Sequence, residues 1–228
     1  MLLAIDAGNT NVKFGVFDGI CVPGGFGSRG IEGMILAIEY ARTHNLPLLG
    51  LCLGMQLSCI EYARNVLGIK DANSAEFTTG GSHIIDYMPD QIKKIQSSHY
   101  GGSMRLGNFP CQLAPKTKTS DLYGKDRVIE RHRHRYEFNN YFRNKFEAND
   151  NFAISGVNTE LNLVEIIELK DQPFFIACQF HPEFKSRPNQ PHPLFTGFIQ
   201  AAIAHRTKKD RAVPLPLIDR KRKSIAAS

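Results

Sequence analysis

The first part of the chain alternates short apolar runs with stretches in which apolar residues return every three or four positions, the pattern of parallel strands crossed by helices. Ile20-Cys21-Val22 predicts a short buried strand that ends in Pro23-Gly24-Gly25-Phe26-Gly27, and Met34, Ala37, Ile38 and Ala41 then recur at helical spacing. Leu46-Pro47-Leu48-Leu49-Gly50-Leu51 is apolar throughout, as a strand covered on both faces should be, and runs into Cys52. A helix is predicted from about residue 53 to 67, with Gly68 in place to cap it. Residues 78–103 are polar and dotted with glycine, which predicts loops and room for a lid. Further on, Leu161, Leu163, Glu165 and Ile167 alternate before the turn Asp171-Gln172-Pro173 and the run Phe174-Phe175-Ile176-Ala177-Cys178, the signature of a β-hairpin. An amphipathic helix over about 193–204, carrying Leu194, Phe198 and Ala201 or Ala202, closes the folded part. No internal repeat is evident, and the elements together predict an α/β fold.

Composition narrows this picture. A chain of 228 residues, 42% hydrophobic, suits one compact domain. The five cysteines (21, 52, 59, 111 and 178) are odd in number and scattered, without a Cys-x-x-Cys pair, which points to a reducing, cytoplasmic setting and away from zinc or a disulfide frame. The opening Met1-Leu2-Leu3-Ala4-Ile5-Asp6 lacks the features of a signal peptide, and no window approaches the roughly 18 apolar residues of a membrane span, so a soluble protein with no membrane partner is expected. Charge alters the reading only at one end. Eight basic and two acidic side chains between Arg206 and Lys223 account for the whole formal charge of +6. Residues 206–228, with Pro214 and Pro216, therefore read as a basic disordered tail, and no nucleic-acid partner is inferred from a folded part that is neutral.

The candidate chemistry lies in Gly50-Leu51-Cys52-Leu53-Gly54, a cysteine between glycines at a strand-to-helix junction, the arrangement of a nucleophile elbow. A tight turn with strained backbone lifts the nucleophile above the sheet, and only glycine flanks leave room for it. The N-terminus of the next helix is expected to favour thiolate over thiol and to offer N–H groups to an oxyanion. The glycine turn 23–27, at the end of another strand, is placed to complete such a hole. His181, between an apolar strand and Pro182, is a candidate base, with Glu183 two residues on to orient it. His132 and His134 fall two apart on one strand face, but no third and fourth ligand follows at a usual spacing, so no metal site is assigned.

These motifs resemble those of class I glutamine amidotransferases and, in finer detail, the glutaminase half of the CTP synthase family. The segments VPGGFGSRGIEGM (22–34), LGLCLGMQ (49–56), DANSAEF (71–77), GGSMRLG (101–107), ERHRHRYEFNN (130–140) and ACQFHPEFKSRP (177–188) carry the resemblance. It implies a flavodoxin-like open, mainly parallel sheet with helices on both faces over residues 20–205. It implies Cys52 as nucleophile, His181 as base and Glu183 as the group that orients it, with the N–H groups of Gly25 and Leu53 as the oxyanion hole. Gly25, Leu53, Gly54, Met55, Gln56, Glu76 and Arg135 would line the pocket for L-glutamine, Glu76 meeting its ammonium and Arg135 its carboxylate. Ammonia would pass to a synthetase domain that aminates UTP with ATP and Mg2+. GTP would be the allosteric activator, no cofactor would be needed in this domain, and oligomerisation would run mainly through the synthetase domain.

The sequence departs from that family at its start. The synthetase residues and the opening strand and helix of the amidotransferase domain have no counterpart here, and residues 1–19 resemble instead the N-terminus of type III pantothenate kinase. Asp6, Gly8, Asn9 and Thr10 would form its phosphate-binding turn; the plain reading is a β-hairpin of residues 2–5 and 12–17 that fills the place of the missing strand. Two alternatives to an active glutaminase follow: an inactive remnant that binds glutamine or a partner, and a phosphate-binding kinase fragment.

Overall fold

The computed structural model describes residues 2–4, 18–87 and 104–212. Among the described residues, eleven strands and five α-helices follow in chain order: β1 (Leu2–Ala4), β2 (Gly19–Val22), α1 (Ile31–Thr43), β3 (Leu48–Leu51), α2 (Leu53–Asn65), β4 (Ala72–Ser74), β5 (Ser82–Tyr87), β6 (Arg105–Leu113), α3 (Lys118–Tyr123), β7 (Arg127–His134), β8 (Tyr136–Phe138), α4 (Arg143–Glu147), β9 (Phe152–Asn158), β10 (Leu163–Leu169), β11 (Phe175–Cys178) and α5 (Pro193–Ala212). Eight strands form one sheet in the order β1-β2-β3-β11-β10-β9-β6-β7, and β4, β5 and β8 form a second.

The large sheet is mixed. From β1 through β2 and β3 to β11 the pairings are parallel, and from β11 through β10, β9 and β6 to β7 they are antiparallel. The mainly parallel expectation thus describes the half that begins the chain; hairpin connections build the other half. Every residue of β3 and β11 is buried, because both strands lie mid-sheet with helices or loops on each face. β7 shows the other sheet pattern, with Val128, Glu130, His132 and His134 turned inward and Arg127, Ile129, Arg131 and Arg133 outward.

On one face of the sheet, α1 and α2 bury Met34, Ile38, Leu57 and Ile60 in the larger apolar cluster. On the other, Leu194 and Phe198 of α5 pack with Leu49, Ile176 and Phe180 in the smaller one. The buried Glu61 of α2 is held by Arg42 of α1 at 2.7 Å.

Several expectations need correction. Within the stretch read as loops, Ser82–Tyr87 is a strand, because it finds β8 as an antiparallel partner about fifty residues later in the chain. The last helix continues to Ala212, so residues 206–212, read as disordered tail, extend α5 by nearly two turns. The helix after Cys52 ends at Asn65, and Gly68 takes its left-handed φ of 74° in the turn beyond. At the start, β1 lies parallel to β2, in the place where the first hairpin arm was read as standing in for the missing strand. The second hairpin arm, the residues Asp6, Gly8, Asn9 and Thr10, the later part (88–103) of the stretch read as loops with room for a lid, and the tail beyond 212 lie outside the described residues. Among the described residues no helix is long and apolar enough to cross a membrane.

Candidate active site

Three adjacent parallel strands deliver the candidate residues to one edge of the sheet. Val22 of β2 is in register with Gly50 of β3, and Leu51 of β3 with Cys178 of β11, so the segments that leave these strands emerge side by side. They are the glycine turn, the Cys52 elbow and the stretch from Gln179 to His181. Parallel alignment is what gathers them, since ligand crevices of open α/β sheets form at the carboxyl ends of strands.

The elbow is strained. Cys52 has φ 50° and ψ −100°, outside the ordinary regions for a residue with a side chain, at a cost of order 1–3 kcal/mol. Surrounding contacts hold it there. Its N–H donates to the carbonyl of Cys178 at 2.7 Å, and its own carbonyl accepts from Met55 and Gln56 as α2 begins. Both flanking glycines are required by close approach. A Cβ on Gly50 would lie 2.9 Å from Ala177 and from the Gly54 backbone, and one on Gly54 would lie 2.3 Å from the carbonyl oxygen of Val22.

His181 follows β11, and its N–H donates to the carbonyl of Arg131 at 2.8 Å, which ties the loop to β7. Its ring stacks on Phe184 at 5.1 Å. Nδ1 lies 2.6 Å from Glu183 Oε1, and because a carboxylate accepts, Nδ1 carries the proton. Nε2 is buried and, among the described residues, without a protein partner, which leaves it as the nitrogen to act as a base. Gly24 stands between the two reactive groups: a Cβ there would lie 2.8 Å from the His181 ring and 3.5 Å from Cβ of Cys52.

Cys52, His181 and Glu183 line one cavity of about 480 Å³ together with Gly24, Gly25, Gln56, Glu76 and Arg135. Leu53, Gly54 and Met55 lie buried in the first turn of α2, and none of the three lines the cavity. Leu53 still contributes through its backbone N–H, which favours the ionised form of the Cys52 sulfur. Glu76 accepts the N–H of Gly27 at 2.8 Å, which fastens the glycine turn to the cavity wall. Gln56 donates both amide hydrogens internally, to the Tyr136 carbonyl at 3.1 Å and to Gln179 Oε1 at 3.3 Å, leaving only its oxygen for a ligand. The sequence reading missed Gln179, whose Nε2 is 3.7 Å from the Cys52 sulfur, and missed Met104, Arg133, Tyr136 and Phe184 on the cavity wall. The position of Gln179, on the stretch that links an apolar strand to His181, was the available signal for the first of these.

Burial reverses one expectation. The Cys52 thiol is pushed up to about 12 by burial and, to a lesser degree, by the carboxylates of Glu137, Glu183 and Glu76; the Leu53 N–H opposes this without matching it. The helix terminus alone therefore does not make a resting thiolate, and the proton must be drawn off when the imidazole engages. With a raised pKa the thiolate fraction increases as pH rises, so alkylation of Cys52 by a small neutral electrophile in the absence of ligand is expected to climb about tenfold per pH unit above neutrality. Mass-spectrometric labelling kinetics would check this, and a rate already level at pH 7 would show that the thiol is ionised at rest. Burial likewise raises the Glu76 carboxyl, while the Gly27 N–H and the Arg135 charge pull it back. Among the described residues no group of three or more His, Cys, Asp or Glu side chains is arranged to hold a metal ion.

A strained cysteine elbow, a glycine turn and a His-Glu pair at the edge of a mixed sheet define a class, and the comparison with known families agrees: the family model "Glutamine amidotransferase class-I" matches residues 4–201, and the chain belongs to that family. CTP synthase of Carboxydothermus hydrogenoformans is 58% identical over 187 residues, covering 82% of this chain, and that of Chloroflexus aurantiacus 54% over 213 residues, covering 93%. Within the family, the chain is of the CTP synthase type. Among solved structures, the Trypanosoma brucei CTPS glutaminase domain with bound acivicin matches with a TM-score of 0.76 and 38% identity, over 82% of this chain and 71% of that one. The chain spans 34–38% of the length of the two curated relatives.

Proposed function

We propose that this chain hydrolyses the side-chain amide of L-glutamine through Cys52, His181 and Glu183, and that the ammonia serves a synthetase domain that aminates UTP with ATP and Mg2+. The observation that carries the reading is the one cavity in which the Cys52 elbow, the His181 Nε2 that has no partner among the described residues, and the oppositely charged Glu76 and Arg135 meet.

His181 Nε2 takes the thiol proton as the sulfur attacks the amide carbon, forming a C–S bond and a tetrahedral oxyanion. Leu53 N–H, with Gly25 N–H from the facing turn, receives that charge. The imidazolium then returns its proton to the amide nitrogen, the C–N bond breaks, and ammonia departs from a glutamyl thioester. Water, giving a proton to the same imidazole, breaks the C–S bond and releases glutamate. Glu183 holds the ring in the tautomer each step needs.

Glutamate release from glutamine, followed beside labelling by a glutamine-mimic electrophile such as acivicin, tests the proposal. Turnover with label on Cys52 supports it. Label without turnover would favour a remnant that binds but does not turn over, and an unlabelled, folded chain would remove the reading. Glutamine recognition has its own test: Arg135→Met is expected to raise KM at least about tenfold with a smaller effect on kcat, because a charged hydrogen bond to the substrate carboxylate is lost. Equal loss in kcat and kcat/KM would place Arg135 in the transition state instead.

A further inference from the structure

In the chemistry above, Cys52 has an imidazole to take its proton and two N–H groups to receive the oxyanion, but no side chain is assigned to the sulfur itself. Gln179, fully buried on the stretch between β11 and His181, reaches it. Its Nε2 lies 3.7 Å from the Cys52 sulfur, and its Oε1 lies 3.3 Å from Nε2 of Gln56. Gln56 Nε2 is in turn 3.1 Å from the Tyr136 carbonyl. Gln179 does not line the cavity, so it meets the nucleophile from inside the protein and leaves the ligand's space untouched.

Hydrogen-bond direction decides which end of the Gln179 amide faces the sulfur. The Tyr136 carbonyl can only accept, so Gln56 must turn its nitrogen toward it. That same nitrogen lies next to Gln179 and has hydrogens to give, so the atom opposite must be an oxygen, Oε1 of Gln179. Nε2 of Gln179 is then the end that faces Cys52, and it donates. With the Gln179 amide turned over, two NH2 groups would oppose each other in a buried site and hydrogens would go unpaired. The main chain of Gln179 is fixed as well. Its N–H donates to the Glu165 carbonyl at 2.8 Å, and β11, which precedes it, pairs in parallel with β3, which leads into Cys52.

We infer that Gln179 is a further catalytic residue, whose side-chain N–H donates to the Cys52 sulfur and stabilises it as a thiolate while His181 takes the proton. The catalytic role rests on the glutaminase reading; the hydrogen bond does not. Two consequences follow from the direction of that bond. The sulfur accepts from Gln179 and cannot give its proton there, so the S–H hydrogen stays available to the imidazole. The bond also strengthens as the sulfur gains negative charge, since a hydrogen bond with one ionised partner is roughly twice as strong as a neutral one. Such help is needed at this site. Burial and the carboxylates of Glu137 on β8, Glu183 after β11 and Glu76 after β4 all disfavour the thiolate. Gln179 transfers no proton and carries no charge, and because its amide is already oriented it needs no rearrangement as charge develops. The same donor serves the second half of the reaction, when the C–S bond of the thioester breaks and the sulfur leaves as thiolate.

Gln179→Met, of similar length and without a donor, tests the inference. Losing a hydrogen bond to a charged atom lowers the thiolate fraction about tenfold, and the greater nucleophilicity of a more basic thiolate returns part of that. Alkylation of Cys52 by iodoacetamide, in the absence of glutamine, is therefore expected to be about fivefold slower than in the wild type at every pH between about 7 and 9. The kcat for glutamine should fall by a similar factor with KM within about twofold, because the cavity wall is unchanged. Gln179→Glu keeps the shape and sets an oxygen where the donor stood, so it should slow alkylation at least as far, and it decides the question if Gln179→Met does not fold. Alkylation as fast as in the wild type, or faster, would overturn the hydrogen bond. Slower alkylation with unchanged kcat, or a rise in KM that accounts for the whole fall in kcat/KM, would overturn the catalytic role. Absence of turnover in every sample, wild type included, would overturn the glutaminase reading and the catalytic role with it, while the alkylation rates would still decide the hydrogen bond.

Discussion

Cys52→Ala is expected to lower glutamate release by at least about ten-thousandfold while leaving the fold intact. The substitution removes the only group proposed to form a covalent bond to substrate, so hydrolysis would have to proceed by direct attack of water, without a thioester to divide the step. The remaining oxyanion donors and the imidazole cannot replace it. Removing one small side chain that is 4% exposed should cost about 1 kcal/mol of stability. Glutamine should still protect the variant against heat, since Glu76 and Arg135 are untouched. A colorimetric or coupled glutamate assay beside a melting curve reads both quantities. Retention of even one part in a hundred of the activity would show that the nucleophile lies elsewhere.

The second large effect falls on the fold through the same elbow. Gly54→Ala should destabilise the chain by about 3 kcal/mol or more, a fall in Tm of roughly 10 °C for a domain of this size. The new Cβ would sit 2.3 Å from the Val22 carbonyl oxygen and 3.1 Å from its carbon, and both belong to backbone that cannot rotate away. β2 is itself pinned, because Val22 pairs with Gly50 of β3. The helix would have to lift off the sheet, taking Cys52 with it. Gly80→Ala provides the control, since a Cβ there meets nothing within 4 Å. Equal melting of the two variants would show that the elbow is not closely packed.

Local pattern made the elements around the site legible. The apolar run into Cys52, the glycine turn after Val22 and the hairpin ending at Cys178 all rest on contiguous residues whose burial dictates their type, and each appears as a strand or turn. Elements whose partners are remote were harder to read. Ser82–Tyr87 is mostly half-buried, and its register with β8, Asp86 opposite Glu137, is made by residues fifty positions away. Gln179 had no motif of its own, and its approach to Cys52 depends on two strands lying side by side. The alternating histidines of β7 revealed a strand face but not its use, since the charges that neutralise it come from β6, β8 and β10.

By itself the sequence determined where the chain turns, which runs are buried on both faces, and which cysteine sits between glycines, because steric and hydrophobic constraints act on neighbouring residues. Tertiary structure alone decided the protonation of the groups involved. A helix terminus predicts a readily ionised thiol, yet enclosure by the rest of the domain pushes Cys52 up to about 12, and burial shifts two histidines and two glutamates toward their neutral forms. The cost of placing a charge in a medium of low polarity depends on everything packed around it, and that is assembled only when distant segments meet.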